Sequence, residues 1–243
     1  MTKRIKFFVG HLSVSAFIAL IMVSVVFFCW YPAPLAKAIG VTKIFLMLIA
    51  IDVIVGPLFT LLVYKEGKKT LKMDLMVIVL IQILAFLYGI HNIIEGRPAW
   101  IVQKDDRFEL IRNNDVIREN IDQVKPEYQK SSWFKPQFVY IDYGTTDIER
   151  HQKMMDDLSH GIVASYNPKR YSDMKYAKVN IQKKMQKNDK LLVFNHKISV
   201  KRVLKKYPQA VGWMPLSTNN IDMVVLLDKE GQVVKIVDLR PWE

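Results

Sequence analysis

Apolar residues crowd the first 94 positions of this chain and give way to a mixed pattern after them. The stretch 7–30 is interrupted only by Gly10, His11, Ser13, Ser15 and Ser24, and similar runs follow at 44–64 and at about 75–94. Each run reaches the roughly 20 residues that an α-helix needs to span a bilayer, so the pattern predicts three transmembrane helices in a membrane region 1–96. The first run has a rival reading as a signal peptide, because Lys3, Arg4 and Lys6 precede it and Ala36-Lys37-Ala38 has the form of a cleavage site. Against that, the run is longer than a signal-peptide core, and Trp30-Tyr31 suits an interfacial aromatic belt.

Past the hinge Gly96-Arg97-Pro98 the periodicity becomes that of a folded domain, 97–243. Residues 99–103 and 108–111 read as strands joined by the polar turn Lys104-Asp105-Asp106-Arg107. Residues 112–136, with Pro126 and Pro136, read as loop, and 137–142 as a short strand. Thr146 or Asp147 caps a helix running to about residue 158, on the spacing of Ile148, His151, Met154 or Met155, and Leu158. A second helix is expected near 171–187, a brief strand at 191–194, and a third helix at 199–206, stopped by Pro208. The last expectation is a hairpin: runs 221–227 and 232–239 flank Asp228-Lys229-Glu230-Gly231, with glycine where positive φ is useful. The expected fold class is an integral membrane protein, a three-helix transmembrane bundle followed by an α+β periplasmic domain with an antiparallel sheet.

Charge supplies orientation. The N-terminus carries Lys3, Arg4 and Lys6, the segment 65–72 carries four more cations, and the loop between the first two runs has only Lys37 and Lys43. By the positive-inside rule the N-terminus and the second loop face the cytoplasm, and the first loop and everything past Ile94 face the periplasm of a bacterial inner membrane. The single cysteine, Cys29, lies in an apolar run and excludes a disulfide framework or dithiol redox chemistry.

Candidate chemistry is sparse. The five histidines, His11, His91, His151, His160 and His196, never form HExxH, and no cysteine cluster adds metal ligands. No nucleophile elbow, Walker A loop or GxGxxG fingerprint occurs, so no catalytic residue, metal or cofactor is assigned. Asp105-Asp106 reads as a solvated turn, and His11, Asp74 and His91 as structural groups of the spans. The basic clusters at 183–190 and 201–206 read as solvated faces or as surfaces for acidic lipid head groups or an acidic partner; an outward topology argues against nucleic acid. Asp52 stands out as a carboxyl inside a span, and four residues later Gly56-Pro57 is expected to interrupt the helix by removing a backbone donor and crowding a carbonyl. It reads either as a hydrogen-bonding group holding the bundle together through a Ser, Gln82 or His, or as a polar contact for a transmembrane partner. Asp52, Gly56 and Pro57 are the partner-binding candidates.

Several motifs follow one another along the chain: Trp30-Tyr31-Pro32-Ala33-Pro34-Leu35, Asp52-Val53, Gly56-Pro57-Leu58-Phe59-Thr60-Leu61, Gly67-Lys68-Lys69, Lys72-Met73-Asp74-Leu75, Gln82, Tyr88-Gly89, Arg97-Pro98 and Asp106-Arg107-Phe108. Over residues 1–110 this series resembles the TfpX/TfpZ family of type IV pilin accessory proteins. The resemblance implies a non-enzymatic inner-membrane assembly factor or chaperone for a type IV pilin encoded nearby, with the pilus assembly machinery and membrane lipid as further partners. A membrane-anchored sensor with an extracytoplasmic ligand-binding domain is the alternative, weakened by the absence of any sizeable cytoplasmic segment.

Overall fold

The structure is a computed structural model that describes residues 2–144, 146–159 and 161–242; His160, among the histidines above, lies outside them. Three helices in it are long and apolar enough to cross a membrane: Lys3–Trp30, Val41–Val63 and Leu71–Glu95. The first is α1 (Lys3–Ser24) continued by a π-helical turn, Val25–Trp30. A short α2 (Leu35–Ile39) follows, closed by Gly40 at φ +83°, where a left-handed residue ends the turn. The second long helix is α3 (Val41–Ala50), a π-helical stretch Ile51–Val55, and α4 (Gly56–Val63). The expected break at Gly56-Pro57 is thus absorbed without interrupting the helix: the wider π turn sits just before the proline, where the ring would crowd a carbonyl. The third is α5 (Leu71–Glu95).

The domain begins at once. β1 (Pro98–Lys104) and β2 (Arg107–Arg112) form the expected hairpin, with Asp105 at φ +50° in its turn. After α6 (Pro126–Gln129) come β3 (Gln137–Ile141) and α7 (Asp147–Ser159). The stretch expected to be helical over 171–187 divides instead into β4 (Tyr171–Ser172), α8 (Lys178–Lys184) and β5 (Gln186–Lys187). Its ends are recruited by the sheet, since Tyr171 pairs with Ile141 and Gln186 with Trp213. The four apolar residues expected to form a strand are helical, α9 (Leu191–Phe194), and only Leu191 among them is buried. α10 (Lys197–Lys206), β6 (Gly212–Ser217), β7 (Met223–Leu227) and β8 (Val233–Val237) complete the chain.

The strands make one eight-stranded sheet in the order β4-β3-β1-β2-β6-β7-β8, with β5 also pairing β6. The expected antiparallel pairings are present, but two are parallel, β1 with β3 and β2 with β6, so the sheet is mixed. β6 was unanticipated because Pro215 sits inside it. Pro215 stands opposite Val224 of β7, and on the other side of β6 it falls between the residues paired to β5 and those paired to β2.

Side-chain alternation splits the sheet into two sealed faces. On one, Ile101, Phe108, Met214, Leu216, Met223 and Val225 pack with Ile181 of α8 and with Leu35 and Ala38 of α2. On the other, Trp213, Val224 and Leu226 lie under Leu191 and Val200, while Trp100, Val102 and Val139 cluster with Tyr171 of β4. The loop between the first two long helices therefore contributes directly to the domain core. Polar contacts fix it there: the Ala38 carbonyl accepts from Ile221 N (3.1 Å) and Thr218 Oγ1 (2.9 Å), and Lys37 Nζ lies 2.6 Å from Asp238 Oδ2. Burial pushes the Asp238 carboxyl up, but hydrogen bonds from Lys37 and Arg240 outweigh it and hold the group below its ordinary range. Tyr31 Oη, donating to the Ile93 carbonyl at 2.7 Å, ties the same loop to the end of α5.

Candidate functional site

The second long helix is central in the bundle, and α4 packs against both α1 and α5. Between α1 and α5 a half-open cleft of about 670 Å³ remains. Helical spacing builds its walls: Gly10, Val14 and Ile18 face it from α1, and Leu75, Val79, Gln82, Ile83 and Phe86 from α5. The lining is overwhelmingly apolar, with Asp52, His11, Thr60 and Gln82 as its polar patch and Lys6 among the lining residues.

The π-helical stretch carries Asp52 to this cleft. Its backbone carbonyl accepts a hydrogen bond from Gln82 Nε2 at 3.2 Å, whereas the buried carboxyl oxygen Oδ2 and Gln82 Oε1 accept none. Beside them His11 Nδ1 and Thr60 Oγ1 are 2.7 Å apart. The cleft thus presents acceptor capacity at one depth of an otherwise apolar trough, a pattern that favours an apolar segment carrying a hydrogen-bond donor.

The three sequence candidates take different places. Asp52 lines the cleft. Gly56 is buried behind it, and a Cβ there would lie 1.7 Å from Gln82 Nε2, so glycine is what allows the glutamine to reach across to the Asp52 carbonyl. Pro57 is buried in the first turn of α4 and shapes the helix rather than lining the cleft. His11 and Thr60 were not singled out as site residues; the readable signal was polar side chains inside apolar runs, which became informative only once the two spans met. Asp74 serves the start of α5, bonded to Lys68 Nζ (2.6 Å) and Thr70 Oγ1 (3.1 Å). Among the described residues no three His, Cys, Asp or Glu side chains converge as metal ligands.

In the domain, α7 leaves apolar positions of its helical spacing uncovered: Ile148, Met155 and Leu158 are exposed. Asp142 Oδ2, 2.6 Å from Lys153 Nζ, anchors that helix to the end of β3.

A family model described as fimbrial assembly protein FimB matches residues 1–40, the first long helix and the loop that enters the sheet core. A fimbrial assembly protein of serogroup E1 from Dichelobacter nodosus is 26% identical over 242 residues, spanning 96% of this chain and 94% of the relative. The serogroup I protein of the same organism is also 26% identical, over 246 residues. A third from that organism, of serogroups C1 and C2, is 32% identical over 116 residues, which is 47% of this chain and 88% of the relative. No solved structure gives a significant match. With most of that third relative covered at this identity, the chain belongs to the FimB family of fimbrial assembly proteins.

Proposed function

We propose that this protein is a non-enzymatic assembly factor for a type IV pilin, in the manner of the TfpX/TfpZ accessory proteins. Its three long helices cross the bacterial inner membrane, with the N-terminus cytoplasmic and residues 97–243 in the periplasm. The cleft between α1 and α5 receives the apolar N-terminal helix by which a type IV pilin is held in that membrane. The observation that carries this reading is the cleft itself, apolar along its walls, half-open and furnished with the unpaired acceptor Asp52 Oδ2. A helix about 10 Å across with a pitch of about 5.4 Å would place one to two turns in a volume of this size. A hydroxyl or amine on that helix would satisfy Asp52, and lateral opening lets the pilin leave without being unthreaded. The exposed stripe of α7 offers apolar surface to the pilin's globular part.

Site-specific photocrosslinking in cells tests this. Probes at Val14 and Val79, on opposite walls, are expected to capture pilin, while one at Leu62, exposed but outside the cleft, is not. Capture from all three positions alike, or from Leu62 alone, would sink the cleft as the pilin site. Asp52→Asn keeps the shape and removes the charge; lost surface pili with cellular pilin retained would place Asp52 at an assembly step, and unchanged piliation would remove its ionised form from the mechanism. Deleting the gene with no effect on pili or pilin would return the sensor reading to the front.

A further inference from the structure

The loop before β3 carries two exposed aromatic side chains, Trp133 (55% exposed) and Phe134 (64%), followed by exposed Lys135. Their place follows from the sheet register. β1 starts at Pro98, directly after α5, and β3 runs parallel to it with Trp100 opposite Gln137. Residues 131–136 therefore lie at the end of the sheet where the first and third long helices finish, and the Asp105-Asp106 turn lies at the other end, about 20 Å away for a seven-residue strand at about 3.3 Å per residue.

Side-chain contacts confirm the placement. The Trp133 ring is 6.1 Å from that of Trp30, the last residue of the first long helix. The Arg97 guanidinium, just past the third, stands 5.2 Å from the Trp133 ring and donates to Ser132 O (2.9 Å) and Ser131 Oγ (3.1 Å). Ser132 N donates to Gln137 Oε1 at 2.9 Å, and Phe134 N to Ser132 Oγ at 3.3 Å. The loop is held in shape from both sides, so the outward presentation of Trp133 and Phe134 is a built feature of the fold.

We infer that residues 131–135 form an interfacial foot, which inserts Trp133 and Phe134 among the lipid head groups of the bilayer crossed by the three long helices and sets Lys135 against lipid phosphate. This rests on the membrane-embedded reading above. Tryptophan prefers the head-group zone because its ring is apolar while its N–H is polar, and a lysine beside it extends its charge toward phosphate. Position selects lipid over a protein as the occupant: Trp133 stands against Trp30 and Arg97, at the ends of the first and third long helices, so the exposed side chains of the loop lie at the level where those helices would leave the bilayer. The foot makes the domain a fixed body on the membrane surface, held at the span ends and at this loop.

The test uses the full chain in nanodiscs of phosphatidylethanolamine and phosphatidylglycerol. In a Cys29→Ser background, Phe134→Cys, Asp106→Cys and Phe17→Cys are labelled separately with an environment-sensitive fluorophore. The probe at 134 is expected to emit at shorter wavelength and to be quenched by lipids with a nitroxide near the head group; the probe at 106 should show neither effect, and the probe at 17 should be quenched by a deep acyl-chain nitroxide. An unquenched probe at 134 beside a quenched probe at 17 overturns the foot and leaves the spans standing. An unquenched probe at 17 overturns the embedded reading and the foot with it. Protection at 134 that arises only when pilin is added makes the loop a protein contact and overturns the lipid assignment. A readout without cysteine variants is the intrinsic fluorescence: Trp133→Phe should lower the fraction quenched by brominated lipid, and an unchanged fraction counts against the foot.

Discussion

The helical bundle and the sheet domain are both rich in large apolar residues, yet they dispose of them in opposite ways. In α1 and α5, Phe17, Leu20, Met76 and Leu84 point outward, whereas β7 is buried from end to end and β6 all but its last residue. The domain draws its stability from apolar area removed from water, with α2 and α8 covering one face and α9 and α10 part of the other. The bundle buries one apolar cluster, Val26, Phe45 and Ile93 with Trp30 and Tyr31, at the end next to the domain, and over the rest of its length shows close contacts such as Gly56 beneath Gln82, Gly89 against Leu48, and His11 with Thr60. That is the expected economy of helices in hydrocarbon, where outward apolar side chains cost nothing and small residues allow close approach. Such a bundle can leave a cleft open; a water-facing core of the same composition could not.

This contrast can be broken most forcefully in the sheet. Trp213 is fully buried, with its indole N–H donating to the Lys187 carbonyl at 3.0 Å. Trp213→Ala is expected to destabilise the domain by about 3–5 kcal/mol, read by denaturant unfolding in detergent, and a loss under about 1 kcal/mol would refute the sealed core. Leu35→Ala comes next. Although this residue lies between two long helices in sequence, it is 3% exposed within the sheet core, so the expected loss is about 2–4 kcal/mol, registered by the domain's own unfolding signal. A fragment beginning at residue 97 should accordingly expose apolar surface and bind a hydrophobic dye.

Gly56→Ala probes the bundle. Its methyl would displace the Gln82 amide and break the bond to the Asp52 carbonyl, an expected loss of about 1 kcal/mol in detergent-driven unfolding, the scale of one interhelical hydrogen bond. The smallest effect is electrostatic. Because the native Asp238 carboxyl titrates below its ordinary value, its contribution is present above the ordinary carboxylate range and lost as pH falls through the lowered native pKa. Being part-exposed, the pair with Lys37 contributes less than about 1 kcal/mol. Asp238→Asn should flatten that acid limb of the stability profile; a limb unchanged by the substitution would locate it elsewhere.

Much of the architecture was legible because it rests on local patterns. The three long helices follow from uninterrupted apolar runs, and the β1–β2 and β7–β8 hairpins from strand-like segments about polar turns that contain Asp105 and Gly231 at positive φ. The misreadings occurred where a distant partner outvoted the local signal. Tyr171 and Gln186 left an expected helix to pair with β3 and β6, Leu191–Phe194 became helical with only its first residue at the sheet, and Pro215 hid β6. At the site, Asp52 was legible as a polar exception in an apolar span, but its relation to His11, Thr60 and Gln82 was not. Those residues are 30 to 49 positions apart along each hydrogen-bonded pair, and nothing in their spacing says which helix faces meet.

The sequence by itself determined where apolar runs begin and end, the candidate carboxyl within them and the turns at the hairpins, since periodicity and residue conformational preference act over a few neighbours. Only the tertiary structure decided that the sheet is mixed, that the first interhelical loop completes its core, and that α1 and α5 stand apart around Asp52. These are choices among alternative burials of similar apolar surface, and only the simultaneous packing of all the elements separates them.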